Sequence, residues 1–425
     1  MVANLENHSI HLASIAREAS ANPSQGHYFW LYKHLYESQL SAGKPHGLTI
    51  GPLAEKTEFI FPLFSTSARR NFWSSPVDWV RLKPIHLNQT VTALNKKGVT
   101  HFQFYDGGFS ELLLALYLAS KNPGIKFLYN FHWAIDWIEL FEGTSSIAMK
   151  ISATIQSALT SRPDNLHLSA ETARLADKLS GYLGFTPHVY PIYASFDFRK
   201  VRAWDTRQID VLLMPQRSHE LDFSLRMAEE ISRADLTARI LVSRSVWDKS
   251  GNSLSGNTLA SGQILFSPLG EGAYQDILGS SKVVVLPYDK PYFRWGSSGK
   301  FNESIAMGAF PMVPEETAIA GQSSYKEASH HFRLGSISEA VKSVQMRLAS
   351  GFPVGLRAVE ISDFWDWLQN LDVNSPRTLE DGRNVRVWTL ALMAFFVPKR
   401  LARLSLDIRK FAGARFDSLW EGSKN

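Results

Sequence analysis

At 425 residues the chain exceeds the length over which a single hydrophobic core keeps growing, so two domains are expected. Its 44% apolar and 20% charged content exclude a disordered protein, and the lack of cysteine excludes a disulfide framework, a thiolate metal site and a cysteine nucleophile. The net charge of +5 is concentrated in 383–415, which carries +7 and leaves −2 for the remainder, and no nucleic-acid motif accompanies it.

The first residues contain no basic stretch followed by an apolar run, so no secretory signal is read there. No apolar stretch reaches the roughly 20 residues that span a bilayer. A cytoplasmic protein is expected.

Over the first hundred residues the pattern gives a strand near 8–14, a helix near 27–41 and a strand near 57–62. From there apolar runs of strand length alternate with helical periodicity. Strands are predicted at 100–106, 125–131, 166–169 and 188–192, with helices at 109–121, 145–160 and 170–184. Ser169 fits the N-cap of the last helix, with Glu171 in its first turn. A polar, aromatic stretch at 192–208 reads as a linker. The alternation then resumes, with strands at 209–214, 238–243, 263–267, 282–288 and 310–314. Helices are predicted near 220–233, 271–280, 299–308 and 336–349.

Such alternation is the mark of a parallel sheet covered on both faces. The expected division is 1–195 for a first Rossmann-like domain, 205–375 for a second, and 376–425 for a basic helical tail. Two such halves leave a cleft at the carboxyl ends of their strands, where sheets of this kind bind ligands.

The segment 274–320 carries the most chemical information. A buried strand ends in Pro287-Tyr288, a polar loop follows, and a Gly-Ser turn opens a helix near Gly299. Backbone amides of Gly296, Ser297, Ser298 and Gly299 would project from the positive end of that helix, which suits a diphosphate. Glu303, one turn on, could accept hydrogen bonds from the vicinal hydroxyls of a ribose. The plain alternative is an ordinary strand-to-helix connection with a solvated glutamate.

This segment resembles the donor-binding region of GT-B glycosyltransferases of the group-1 type, glycosyltransferase family 4 and its relatives. The matching residues are Pro287, Tyr288, Ser298, Gly299, Glu303, Gly308 and Pro314. The resemblance implies two Rossmann-like domains facing a central cleft, with a C-terminal helix that crosses back over them. It implies that Glu303 binds the nucleotide ribose and that Ser297, Ser298 and Gly299, helped by Lys300, hold the diphosphate. It also implies a basic residue after the strand 209–214, for which Arg217 stands ready and Arg244 competes. One departure is plain: many members carry a second glutamate eight residues before the first, and here that position is Trp295. A variant loop of Tyr292, Arg294 and Ser298 matches relatives that also lack it.

The first half would present the acceptor. Gly26 and His27 fit a turn after the first strand, and Asp106 and His132 fall at the ends of predicted strands. His132 is the candidate catalytic or sugar-contacting residue; its alternative is a hydrogen-bonded structural histidine. Asp106 also reads as a turn former before two glycines.

The implied activity is transfer of a sugar from a nucleoside diphosphate to an acceptor hydroxyl, with retained configuration, no metal and no cofactor. The acceptor would be a saccharide or lipid-linked saccharide in bacterial surface polysaccharide or glycolipid assembly. The apolar run at 387–397 and the basic stretch behind it fit a helix on an anionic membrane surface or one packing back on the domains. Two alternatives stay open, a non-catalytic nucleotide- or glycan-binding member and a sugar-nucleotide epimerase.

Overall fold

The structure, a computed structural model, describes residues 12–15, 35, 84–96, 98–104, 108–132, 134–144, 146–194, 201–250, 264–267, 269–289, 291–320, 332–333 and 335–371. Gly26, His27, Asp106, the expected helix at 27–41 apart from Leu35, the expected strand at 57–62, and the tail 376–425 lie outside these residues.

The first domain runs β1 (Leu12–Ile15), α1 (Pro84–Lys96), β2 (His101–Phe104), α2 (Phe109–Lys121), β3 (Lys126–Phe131), α3 (Ala134–Glu142), α4 (Ser146–Thr160), β4 (Leu166–Ala170), α5 (Ala173–Leu183) and β5 (His188–Val189). Its strands pair in parallel in the order β1-β2-β3-β4-β5. The central strands β2, β3 and β4 are buried along nearly their whole length, their apolar residues interleaved with the buried polar His101, Gln103, Asn130, His167 and Ser169. Phe102, Phe127, Tyr129, Phe131 and Trp137 form the centre of the core on one face. Phe131 and Trp137 meet edge to face at 5.1 Å, and Trp137 stacks on Phe141 beyond.

The second domain runs β6 (Ile209–Leu213), α6 (Ser218–Arg233), β7 (Ala238–Ser243), α7 (Arg244–Lys249), β8 (Ile264–Ser267), α8 (Glu271–Gly279), β9 (Ser281–Val285), α9 (Gly299–Ala306), β10 (Phe310–Met312) and α10 (Ile337–Ser350). A three-residue 3-10 turn, Trp204–Thr206, precedes it. Its parallel sheet is ordered β10-β9-β6-β7-β8. The chain moves outward from β6 to β7 and β8, then returns to lay β9 on the other side of β6. The crevice above the β6/β9 pair is thus a topological switch point, the usual binding position of an open α/β sheet.

After α10 the chain returns to the first domain. Helix α11 (Ile361–Asn370) sets Phe364, Trp365 and Leu368 against Leu12, Leu128, Tyr190 and Tyr193 on the open face of the first sheet. This helix lies upstream of the basic tail 376–425, for which the crossing-back helix is expected and which lies outside the described residues. Asn302 in α9 binds both chain passages at this crossing. Its amide donates to the carbonyls of Ile192 and Val359 at 3.0 Å each, and its Oδ1 accepts from the Val359 amide at 2.9 Å.

One local expectation is corrected. Ser169 does not cap α5; it continues β4, buried, with its hydroxyl on the Asn130 side chain and the Tyr129 carbonyl. Thr172 is the cap, its Oγ1 accepting from the Leu175 amide at 3.1 Å. Glu171 lies ahead of the helix and has other partners.

Candidate active site

Two loops rise from the switch point. The one after β6 runs through Met214 and Arg217 into α6; the one after β9 runs through Leu286, Pro287 and Tyr288. Glu220, fully buried in the first turn of α6, ties them together. Its two carboxylate oxygens accept from the Gln216 amide at 2.6 Å and from the Asp289 amide at 3.1 Å. This carboxylate escaped the sequence reading, since its position fits any acidic first-turn residue.

Tyr288 is buried and stacks flat on Phe293, with ring centroids 3.7 Å apart. Its hydroxyl is 2.5 Å from Ser298 Oγ, which joins the strand end to the N-cap of α9. Burial pushes the Tyr288 phenol well above its ordinary range, so it stays protonated. Arg294 is exposed, in the 3-10 turn Pro291–Arg294.

Glu303 is not solvated. It is 1% exposed, and its Oε2 accepts a hydrogen bond from the Tyr274 hydroxyl of α8 at 2.9 Å. Burial first, then the Glu303 charge, raise the Tyr274 pKa well above normal, which keeps the phenol a donor. The carboxylate is thus held behind the 297–299 turn by a fixed partner.

Arg217 is exposed at the N-cap position of α6, on the loop that Glu220 fastens to Asp289. Its competitor Arg244 begins α7 and lays its guanidinium 3.7 Å over the Phe266 ring. Lys300 stands partly buried in the first turn of α9.

Across the cleft, His132 follows the last residue of β3 and is 8% exposed. Its amide donates to the Asn130 carbonyl at 2.9 Å. Its Nδ1 is bonded to Oε1 of the buried Glu171. The other oxygen of Glu171 accepts from the Ser297 amide at 3.1 Å, with Ser297 Oγ at 3.4 Å. The histidine end of one domain and the glycine-serine turn of the other thus meet through one carboxylate. In this state the Ser297 amide, expected for the diphosphate, holds Glu171.

Trp295, where the resemblance expects a glutamate, turns to the first domain and packs on its main core. Arg174 and Lys178 of α5 bring their cations 5.1 and 5.7 Å from the ring centre. The Trp295 carbonyl accepts from Thr172 Oγ1 at 2.5 Å. Its role is therefore an interdomain contact, which local sequence could not disclose because its partners lie more than a hundred residues away.

Among the described residues no group of three or more histidine, aspartate or glutamate side chains is gathered for a metal ion, and no helix is long and apolar enough to cross a membrane.

No protein-family model matches the chain, and no curated protein matches its sequence. Solved structures match its fold. A glycosyltransferase from Rickettsia africae superposes with a TM-score of 0.52 at 11% identity, over 92% of this chain and 98% of that one. The HepE protein of Anabaena, solved with UDP and glucose, gives a TM-score of 0.52 at 7% identity, over 85% of this chain and 99% of that one. The chain has the two-domain, Rossmann-like GT-B architecture.

Proposed function

We infer that the chain is a glycosyltransferase whose second domain binds a nucleoside diphosphate sugar and whose first domain presents the acceptor. The observation that carries this reading is the junction at the start of α9. There Glu303 is buried behind the turn and held by Tyr274, while the turn itself faces His132 across the cleft. A carboxylate so placed suits a ribose, and the helix N-terminus beside it suits a diphosphate. The UDP bound to the Anabaena neighbour makes UDP the first nucleotide to test.

In the reaction, the bond between the sugar C1 and the β-phosphate oxygen breaks and a bond from C1 to the acceptor oxygen forms. The acceptor proton passes to His132 or to the departing phosphate. Amides of Ser298 and Gly299, with Lys300 and Arg217, would stabilise the charge that develops on the leaving diphosphate. Retention of configuration and a hexosyl donor belong to this reading through the resemblance of 287–314. The basic segment 383–415 supports a lipid-linked or membrane-surface acceptor in bacterial polysaccharide or glycolipid assembly.

The test is a thermal-shift screen with UDP, GDP, ADP and their sugar conjugates, on wild type and Glu303→Gln. The amide keeps a partner for Tyr274 and removes the charge. A nucleotide at 100 times its Kd should stabilise wild type by about 2.7 kcal/mol. The variant should lose most of that shift. A folded wild type that responds to none of them overturns the donor site. Binding without release of free sugar or transfer would favour the binding-protein alternative, and interconversion of free nucleotide sugars would favour an epimerase.

A further inference from the structure

Residues 171 and 172, between β4 and α5, both reach the donor turn with their side chains. Thr172 Oγ1 accepts from Leu175 to start its own helix and donates to the Trp295 carbonyl. Glu171 divides its carboxylate between His132 Nδ1 in its own domain and the Ser297 amide in the other. Both are buried, at 2% and 0% exposure, so neither contact is a chance surface pairing.

An imidazole whose Nδ1 donates to a carboxylate is fixed in orientation and tautomer, and its Nε2 becomes the acceptor. The second oxygen of Glu171 accepts from the Ser297 amide of the donor turn, which links that geometry to the seating of the turn. We propose that Glu171 is a positioning residue for the transfer reaction. It sets the tautomer and aim of His132 and makes both depend on the donor turn being seated against the first domain. The proposal rests on the transferase reading above and adds a residue and a coupling to it.

Trp295 has a purpose in this coupling. Its ring, anchored by Arg174 and Lys178, holds the backbone from which the Ser297 amide reaches Glu171. A glutamate there would exchange that anchor for a charge beside Glu171.

The experiment measures UDP release from UDP-glucose by wild type, Glu171→Gln, His132→Ala and the double variant. Glu171→Gln is expected to lower kcat about 100-fold while KM moves no more than about threefold, in the range of a lost acid–base contribution. In the His132→Ala background the same change should cost less than about twofold, because its effect runs through the imidazole. Losses that multiply, or a change confined to KM, would overturn the coupling.

A second readout needs no substrate. Exchange of the His132 C2 hydrogen, followed by mass spectrometry, reports the basicity of that ring. Removing the carboxylate should lower its midpoint by about one pH unit. An unchanged midpoint refutes the contact. If wild type releases no nucleotide from any of the UDP, GDP or ADP sugar conjugates but the midpoint moves, the transferase reading falls and the Glu171–His132 contact stands.

Discussion

Gly308 is part of the motif that carries the family resemblance, yet the structure gives it a purely mechanical reason. It ends the turn after α9 with φ +68°, in the left-handed region. A Cβ there would stand 2.5 Å from Arg207 Nη2 and 2.9 Å from Val201 Cγ1. Val201 is exposed and can yield. Arg207 cannot yield cheaply, because its Nη2 donates to the carbonyls of Met307 and Arg202 at 2.8 Å each, and its Nη1 to Ser281 at 2.7 Å. Burial, then the nearby Arg202, lowers its pKa to about 10, so it remains a cation at neutral pH. Gly308→Ala should therefore cost about 1–2 kcal/mol for the left-handed backbone. Disturbing the two Nη2 bonds adds about 2–3 kcal/mol, for a sum of about 3–5 kcal/mol. Urea denaturation of the variant reads this directly. In an Arg207→Lys background, where Nη2 is absent, the same substitution should cost only the backbone share. A loss below about 1 kcal/mol, or an equal loss in both backgrounds, would refute the argument.

Two further outcomes follow from buried polar groups. His101 in β2 and His167 in β4, on either side of β3, are held at pKa values of about 3 and 4, by burial first and then by nearby groups including Lys126 of β3. Their folded pKa values lie below the unfolded value of 6.5, so stability is full above that pH and lost as pH falls from 6.5 toward 4. Together they should remove about 2–3 kcal/mol between pH 7 and 5.5. His101→Gln/His167→Gln should flatten that slope in urea titrations, and an unchanged slope would deny them the role. At the interdomain crossing, Asn302→Ala forfeits three buried hydrogen bonds and should cost about 3 kcal/mol. Asn302→Asp should do no better, because a carboxylate cannot donate to Ile192 and Val359. Thermal midpoints that match wild type in both would show the crossing to be held otherwise.

Sequence made the second domain legible wherever a single local signal decided the structure. The run 238–243 coincides with β7, and the glycine-serine turn lies ahead of α9 as expected. It was least informative where two signals competed. Ser169 is a good N-cap residue, but its hydroxyl is taken by Asn130 on the adjacent strand, so β4 runs on and Thr172 starts the helix. The helices at 84–96, 134–142, 244–249 and 361–370 were not anticipated, the last because its aromatic spacing acquires meaning only against Tyr190 and Tyr193. Glu303 could be assigned to a helix face by counting. Its burial could not, since that depends on Tyr274 reaching across from α8. Glu171 carried one detectable signal, a carboxylate just beyond a strand's carboxyl end, and that signal was outweighed by its equal fitness for a first helical turn.

The chain passes between the domains twice, once through 192–208 and once at 359–361, and Asn302 is bonded to both passages. Two tethers tied at one spot make a pivot: the bodies they join can turn about that point but cannot slide past it. The pivot here lies at Asn302, next to Glu303 in α9. Points near a pivot sweep the shortest arcs, so turning one body against the other would leave the ribose end of the proposed site nearly stationary. Travel would accumulate farther out, at the edge where the Trp295 loop meets α5. A molecule hung in this way could open and shut the far edge of the proposed site repeatedly while the end beside Glu303 scarcely changes.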